Sequence, residues 1–362
     1  MEGRRPAISV LEWLRVNLFS SVGDTALTLG GALIVWFLLV PALDWAFVRA
    51  VWTGDDRTAC IVKDAGACWP YIGARMGQIV YGFYDVAQRW RVDLIYALGA
   101  LGLLWLTLPF MPYKRVAGVL MLSAYPVLAY VLLTGGMFGI DPVPTQRWGG
   151  LLLTLIVSAT GIIVSMPVGI LLALGRQSDM PVFRWTCTAF IELVRGVPLI
   201  TFLFMASNML PLFLPEGAAV DKLLRALIAV ALFSSAYMAE VVRGGLQAIP
   251  RGQYEASKAL GLSYWPMMGL IILPQALRIV IPGIVNSFIA LFKDTSLVSI
   301  IGFFDLLGII QSGNSDPNWA APNTAFTGFV FAGAVYWAFC FSMSRYSQAM
   351  ERRLGAGTKR GQ

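Results

Sequence analysis

Long apolar runs are the feature that most limits what this chain can fold into. A helix needs about 20 apolar residues to cross the hydrocarbon core of a bilayer. Eight segments approach that length, and they lie at roughly 26–48, 94–111, 116–135, 149–174, 186–213, 223–242, 268–292 and 322–344. Charge is scarce, because only 13% of the residues are charged, whereas a soluble domain carries about 25%. The sequence therefore predicts an all-α, polytopic membrane protein with about eight transmembrane helices.

Lysine and arginine residues predict the orientation of these helices, since they concentrate in cytoplasmic loops. When the N-terminus is placed inside, the inner side carries most of the basic residues. They are Arg4, Arg5, Arg15, Lys114, Arg115, Arg176, Arg184, Arg243, Arg251, Lys258, Arg345, Arg352, Arg353, Lys359 and Arg360. Both termini are therefore expected in the cytoplasm, and the net charge of +7 indicates membrane loops rather than nucleic-acid binding.

Cysteine placement agrees with this orientation. Cys60 and Cys68 both fall in the loop 51–93, which is expected outside, where oxidising conditions permit a disulfide. The alternative is two unrelated free thiols in that loop. Cys187 and Cys340 lie within predicted spans and are interpreted as small apolar fillers.

The composition also excludes several kinds of chemistry. The chain has no histidine, which rules out Ser-His-Asp and Cys-His catalysis and histidine metal sites. Its four cysteines are spread over different regions without the CxxC spacing of a zinc site, and no GxxxxGK[ST] phosphate loop occurs. We therefore expect a non-catalytic chain that binds no metal and no cofactor itself.

Two neighbouring spans share a charged phrase, although charges in a membrane are costly unless they are paired or hydrated. ELVRG begins at Glu192 in the fifth span, and EVVRG begins at Glu240 in the sixth. Glu and Arg three residues apart on a helix can pair, which favours local pairs of Glu192 with Arg195 and of Glu240 with Arg243. The other interpretation is a cytoplasmic gate, in which the pairs exchange partners between inward-open and outward-open states.

A short polar helix is predicted between the sixth and seventh spans, where the chain reads RGQYEASKALGL from Arg251 to Leu262. Pro250 can begin a helix because its missing N–H costs nothing in the first turn, and Gly261 can end one. An isolated helix is marginal below about 12–15 residues. This one therefore suits docking into a groove of another protein.

The spacing of this stretch resembles the EAA loop of bacterial ABC-importer permeases. The pattern runs from Glu255 through Gly261 to Pro274, with Ser257 at the third letter as the one departure. In that family the loop forms a coupling helix that seats in a cleft of the ATPase subunit. The resemblance implies that the residues coupling to the ATPase are Tyr254, Glu255, Ala256, Ser257, Gly261 and Leu262.

Other segments narrow the resemblance. FIELVRGVPL, the segment 236–256 and NSFIALFKDTSLVSIIG are similar to the polar amino-acid permease group. The segment 66–94 is similar to the longer membrane subunit of the general L-amino-acid permease, which carries three extra spans before a five-span core. The resemblance thus covers nearly the whole chain.

The resemblance implies a subunit of an ATP-driven importer of L-amino acids in the bacterial inner membrane. Its implied partners are a homologous second permease, an ATPase pair that binds ATP and Mg, and a periplasmic amino-acid-binding protein. The implied divisions are a cytoplasmic N-terminal segment 1–25, a three-helix extension 26–140 with the periplasmic loop 51–93, a permease core 141–345 with its coupling loop at about 244–266, and a cytoplasmic tail 346–362.

A substrate pathway is expected near the outer end of the seventh span, where the chain reads FKDTSL. Asp294 could face the ammonium of an amino acid while Thr295 and Ser296 donate to its carboxylate, and a broken helix would add backbone groups. Packing as in the family would bring further polar residues to the same region, namely Ser234, Ser235, Tyr237 and Asn286. The alternative is that Lys293 and Asp294 merely mark the membrane interface.

Two other functions compete with the importer. An ion-gradient-driven secondary transporter of amino acids would need carboxylates near the midplane of the membrane and would have no use for a coupling helix. A membrane-embedded enzyme is disfavoured because the chain lacks histidine and any metal-ligand cluster.

Overall fold

The computed structural model describes residues 9–108, 110–137, 139–213, 215 and 220–358, without the side chains of 353–358. The predicted inner-side residues Arg4, Arg5, Lys359 and Arg360 lie outside the described residues. Helix accounts for 79% of the structure. Within the described residues there is no β-strand beyond isolated bridges. The predicted all-α fold is therefore confirmed.

Sixteen α-helices are described, and in the second half of the chain several of them follow one another with short breaks. They are α1 (Val10–Leu18), α2 (Val22–Leu43), α3 (Trp69–Tyr81), α4 (Arg89–Thr107), α5 (Lys114–Leu122), α6 (Ala124–Thr134), α7 (Gly150–Arg176), α8 (Pro181–Gly196), α9 (Leu199–Phe204), α10 (Lys222–Gln247), α11 (Arg251–Ala259), α12 (Tyr264–Pro266), α13 (Leu273–Ile279), α14 (Ile281–Asp294), α15 (Leu306–Gly313) and α16 (Pro322–Thr358). Stretches of π-helix occur at Asp44–Val48, Met205–Met209 and Met267–Ile272. Stretches of 3₁₀-helix occur at Arg57–Cys60, Val86–Gln88, Thr145–Arg147, Leu210–Phe213 and Thr295–Ile301.

Seven helical segments of the described chain are long and apolar enough to cross a membrane. They are Val22–Val48, Val86–Thr107, Lys114–Thr134, Gly150–Arg176, Lys222–Gln247, Ile281–Ile301 and Pro322–Arg352. A bent pair of helices can supply an eighth span. Seven to eight spans agree with the prediction of about eight.

The fifth predicted span, 186–213, is not one straight helix. The structure divides it into Pro181–Gly196 and Leu199–Phe213, which meet at an angle of 104°. Val197 has extended backbone angles, φ −111° and ψ 135°, because the ring of a following proline disfavours helical angles in the residue before it. Pro198 therefore ends α8.

The seventh predicted span, 268–292, begins too early. A π-helix over Met267–Ile272 leads into α13, and the helix is interrupted at Val280 before α14 begins. Pro282 lies in the first turn of α14, where its missing N–H is tolerated. In the middle of one continuous helix from α13 to α14 it would remove a hydrogen bond, so the helix is interrupted here. The stretch that is long and apolar enough to cross a membrane is Ile281–Ile301.

The chain divides into two compact units, of which the first combines residues up to Ala74 with Asn314–Gly328. In this unit the π-helix that follows α2 is tied to the next loop, since the Ala67 N–H donates to the Trp45 carbonyl at 2.9 Å. A disulfide joins Cys60 to Cys68, whose Cα atoms are 5.7 Å apart. The Cys68 N–H donates to Thr327 Oγ1 at 2.8 Å. The predicted pair of cysteines thus closes a loop that is hydrogen-bonded to the first turns of α16.

The second unit, Arg75–Gly313 with Phe329–Gln362, is built around the pairing of α7 with α10. Small residues allow the two helices to approach closely. A Cβ atom added at Gly169 would lie only 2.7 Å from the Met238 Cβ, and one added at Gly161 would meet Val230 at 3.2 Å. This close pairing brings the last turn of α7 beside the polar segment of α10.

Candidate functional site

The charged residues of α7, α8 and α10 form one network centred on Glu240. Its carboxylate binds Arg176 of α7 at 2.6 Å, Arg243 of α10 at 2.9 Å and Arg195 of α8 at 3.5 Å. The predicted pair of Glu240 with Arg243 is therefore present, one helical turn apart. Two further arginines reach the same carboxylate from neighbouring helices.

Glu192 does not pair with Arg195 as predicted. Its carboxylate binds the Arg176 Nη2 atom at 2.7 Å, while the Arg176 Nη1 atom binds Glu240. A planar guanidinium presents several N–H donors in a fixed fork, so Arg176 can bridge the two acidic residues. Arg195 turns instead toward α10, where its guanidinium lies 5.5 Å from the centre of the Tyr237 ring.

The two acidic residues of the network differ in solvent exposure. The Glu240 side chain is 16% exposed, and the Glu192 side chain is 58% exposed. Three arginines against two glutamates leave the network with one excess positive charge. Glu240 is thus the enclosed anion on which the arginines converge, and Glu192 is its exposed outer partner.

Sequence reasoning missed Arg176 as a member of this network. The sequence marks it only as a basic residue at the inner end of a span, and it is separated in sequence by 16 and 64 residues from its two partners. The available signal was its position in the last turn of α7. That position alone does not indicate which helices lie beside it.

The predicted polar helix forms as α11, and it is anchored on one side. Pro250 precedes it and Gly261 follows it with φ 74°. The Tyr254 hydroxyl donates to the Leu246 carbonyl at 3.1 Å, and burial raises the pKa of this phenol. The Ser257 side chain is buried, and its hydroxyl donates to the Gln253 carbonyl at 2.6 Å.

The rest of the predicted coupling residues present a surface. Glu255, Ala256 and Gly261 are exposed, and Leu262 is half-buried. A Cβ atom added at Gly261 would meet nothing within 4 Å. The six predicted residues therefore divide into an anchored inner side and an open outer side, which is an arrangement that suits a docking helix.

The predicted substrate-pathway residues do not form one cluster. Three hydroxyls donate to carbonyls of their own helical segments: Ser235 to Ala231, Thr295 to Phe292 and Ser296 to Lys293. Tyr237 and Asn286 are exposed, and Ser234 is half-buried. Among the described residues, no hydrogen bond or ion pair joins Asp294 to the other candidates.

Asp305 is a buried polar residue that sequence reasoning missed. It is fully buried, and its carboxylate accepts hydrogen bonds from the Gly308 N–H at 2.9 Å and from the Tyr336 hydroxyl at 2.8 Å. An Asp directly before an apolar helical run is typical of a helix N-cap. The signal was present, but α15 was not predicted. Asp305 begins α15 and ties it to α16.

Comparisons with known proteins identify the second half of the chain. The family model described as "Binding-protein-dependent transport system inner membrane component" matches residues 165–356. The match includes the Glu240 network and α11. The chain belongs to this family. It is therefore a multi-span permease component of an ABC importer in the inner membrane, and nothing in the comparisons supports an ion-gradient-driven transporter.

Two relatives extend the similarity beyond that region. The inner membrane amino-acid ABC transporter permease protein YhdY of Escherichia coli K12 is 52% identical over 95% of this chain and 93% of its own. The glutamate/glutamine/aspartate/asparagine transport system permease protein BztC of Rhodobacter capsulatus is 40% identical over 97% of this chain and 96% of its own. A solved crystal structure of an amino acid ABC transporter with histidines is 31% identical over 56% of this chain and 92% of its own, with a TM-score of 0.48. The predicted resemblance to amino-acid ABC permeases is confirmed.

Proposed function

We propose that this permease carries L-amino acids from the periplasm to the cytoplasm as one of two homologous but different membrane subunits. ATP and Mg bind to a separate ATPase pair, and a periplasmic binding protein delivers the substrate. The observation that carries the proposal is the similarity to YhdY, an amino-acid permease by name, over 95% of this chain. BztC, named for glutamate, glutamine, aspartate and asparagine transport, supports the same substrate class.

The coupling element of this proposal is α11. Its Tyr254 side chain bonds it to α10 and its Ser257 side chain is buried, whereas Glu255 and Ala256 remain open to a partner. The Gln275 side chain of α13 donates to Gln253 of α11 at 3.3 Å. A movement of α11 by the ATPase is thereby passed to the seventh span. We place this face, and both chain termini, in the cytoplasm, as the basic residues indicate.

The Glu240 network is the proposed cytoplasmic gate. It joins three helices through single side chains, so a shift of one helix exchanges or breaks its ion pairs. Contacts that exist in only one of two states bias the equilibrium between those states. The exposed residues Tyr237 and Asn286 belong to the pathway above this gate, and Asp294, Thr295 and Ser296 to its outer end.

Reconstitution tests the proposed function. The permease is assembled with its second membrane subunit and its ATPase in proteoliposomes, and uptake of radiolabelled glutamate, glutamine and neutral L-amino acids is measured with ATP inside the vesicles and binding protein outside. We expect uptake that requires ATP and binding protein together. Uptake that persists without ATP, or absence of amino-acid uptake by an intact complex, would contradict the proposal.

A further inference from the structure

A groove in the second unit lies between the seventh span and the last helix. It has a volume of about 440 Å³, within the range of small-molecule sites. Apolar side chains of α7, α14 and α16 make up most of its lining, among them Met166, Ile284, Val285 and Met350. Since α7, α14 and α16 all belong to segments that are long and apolar enough to cross a membrane, we expect lipid rather than a soluble ligand at this groove.

One strong charge lines this apolar groove. Arg278, in the last turn of α13, is exposed. Among the described residues, no aspartate or glutamate forms an ion pair with it. A cation beside hydrocarbon is costly without a counter-ion. An anion supplied from outside the described chain would therefore stabilise Arg278 in the groove.

Basic residues outnumber acidic residues next to the groove. The end of α16 that lines the groove carries Arg345 and Arg352 and one acidic residue, Glu351, all exposed. Glu351 accepts a hydrogen bond from the groove residue Ser347 at 2.9 Å. With Arg278, the described side chains around the groove carry three positive charges and one negative charge. This field attracts an anion and disfavours the chain's own basic terminus, which contains Lys359 and Arg360.

The depth of Arg278 in the membrane fits the headgroup region. Gln275 lies one helical turn before Arg278 and bonds to Gln253 of α11, the helix on the proposed cytoplasmic face. Tyr346, an amphipathic side chain of the kind found at membrane interfaces, also lines the groove. The polar part of the groove is thus at an interface, and its apolar part extends between the spans.

We propose that this groove binds an anionic phospholipid of the cytoplasmic leaflet, with Arg278 contacting the phosphate headgroup and an acyl chain lying along Ile284 and Val285. Basic pockets between membrane helices on the cytoplasmic side are suited to such headgroups. The bound lipid lies beside the break at Val280, where α13 joins α14. It stabilises the connection between α13, which contacts the coupling helix α11, and α14 in the seventh span.

Photolabelling of the assembled transporter tests this. The complex is reconstituted in phosphatidylcholine vesicles that contain a photoactivatable phosphatidylglycerol or, in parallel, the matching phosphatidylcholine probe. We expect the segment 277–285 to be labelled about fivefold more by the anionic probe, the ratio given by about 1 kcal/mol for one basic residue at an anionic surface. Arg278→Gln should remove this preference, and Arg278→Lys should keep most of it and so shows that the fold is intact.

Arg184→Gln is the matched control, since Arg184 is an exposed basic residue of the same predicted membrane face that does not line the groove. It should leave labelling unchanged. Val285→Trp, which fills the groove without altering charge, should lower labelling by both probes. Equal labelling by the two probes in the unaltered protein, an unchanged preference in Arg278→Gln, or absence of labelling because a protein subunit covers the groove would each overturn the proposal.

Discussion

Glu240 is the shared counter-ion of three arginines. Three guanidiniums depend on its carboxylate, and two of them, Arg195 and Arg243, form no ion pair with another acidic residue among the described residues. Removing one member of an enclosed ion pair costs more than the pair contributes, because it leaves an uncompensated charge. The two glutamates of the network should therefore differ sharply in their effect on stability.

Glu240→Gln is expected to lower the free energy of unfolding by about 3 kcal/mol, because it leaves three partly buried arginines without their shared anion. Glu192→Gln is the matched control. Its side chain is 58% exposed and binds only Arg176, so the expected loss is below about 1 kcal/mol. Thermal unfolding of the purified complex in detergent compares the two. Equal losses would show that Glu240 is not the centre of the network.

The residue scale also shows what the sequence could predict. The pair of Glu240 with Arg243 follows from helical spacing alone. The partner of Glu192 does not, because Arg176 reaches it from another helix and competes successfully with Arg195. Spacing along one helix identifies candidates, whereas the geometry between helices decides which of them meet.

At the scale of elements, Arg176 is the side chain that ties α7 to both α8 and α10. Arg176→Gln is expected to weaken the proposed gate while the remaining pair of Glu240 with Arg243 keeps α10 intact. The change should raise basal ATP hydrolysis several-fold in proteoliposomes and reduce its stimulation by substrate and binding protein, because one resting state loses its contacts. Arg184→Gln, on the exposed side of α8, serves as control. Normal basal and stimulated rates in Arg176→Gln would leave only a structural role for the network.

The end of α11 offers a second test at this scale. Gly261 has φ 74°, a conformation that costs an ordinary residue about 1 kcal/mol, and its surroundings are open. Gly261→Asp should therefore leave the membrane domain folded but abolish transport by disturbing the docking surface. Gly252→Asp is the matched control, since Gly252 is exposed in α11, before Gly261, and has no positive φ. Normal uptake by Gly261→Asp, or equal loss in both variants, would contradict the coupling role.

Apolar patterning predicted where spans occur but not where they break. Hydropathy averages over a window, so Pro198 and Pro282 barely change the score of their segments although they interrupt the helices. The short α15 was missed for a related reason, since it is too short to cross a membrane and its start depends on a single Asp305 cap. Breaks and caps are decided by individual residues.

At the scale of the whole molecule, the loop closed by Cys60 and Cys68 offers a test of the proposed orientation in the membrane. The bond predicts that mass spectrometry without reduction finds the peptides of Cys60 and Cys68 linked, and that a membrane-impermeant thiol reagent added to intact spheroplasts labels neither cysteine. Labelling without reduction would show that the bridge is absent in the cell. Labelling that requires access from the cytoplasmic side would reverse the proposed orientation of every span.

Substrate-dependent ATP hydrolysis by the complete transporter tests the central claim most directly. The permease, its homologous subunit and the ATPase are reconstituted with the binding protein, and ATP hydrolysis is measured with and without L-amino acids. Amino-acid uptake is measured separately with an imposed ion gradient in place of ATP. We predict that hydrolysis rises only when binding protein and amino acid are both present, and that an ion gradient alone drives no uptake. Amino-acid uptake driven by the gradient without ATP would contradict the account.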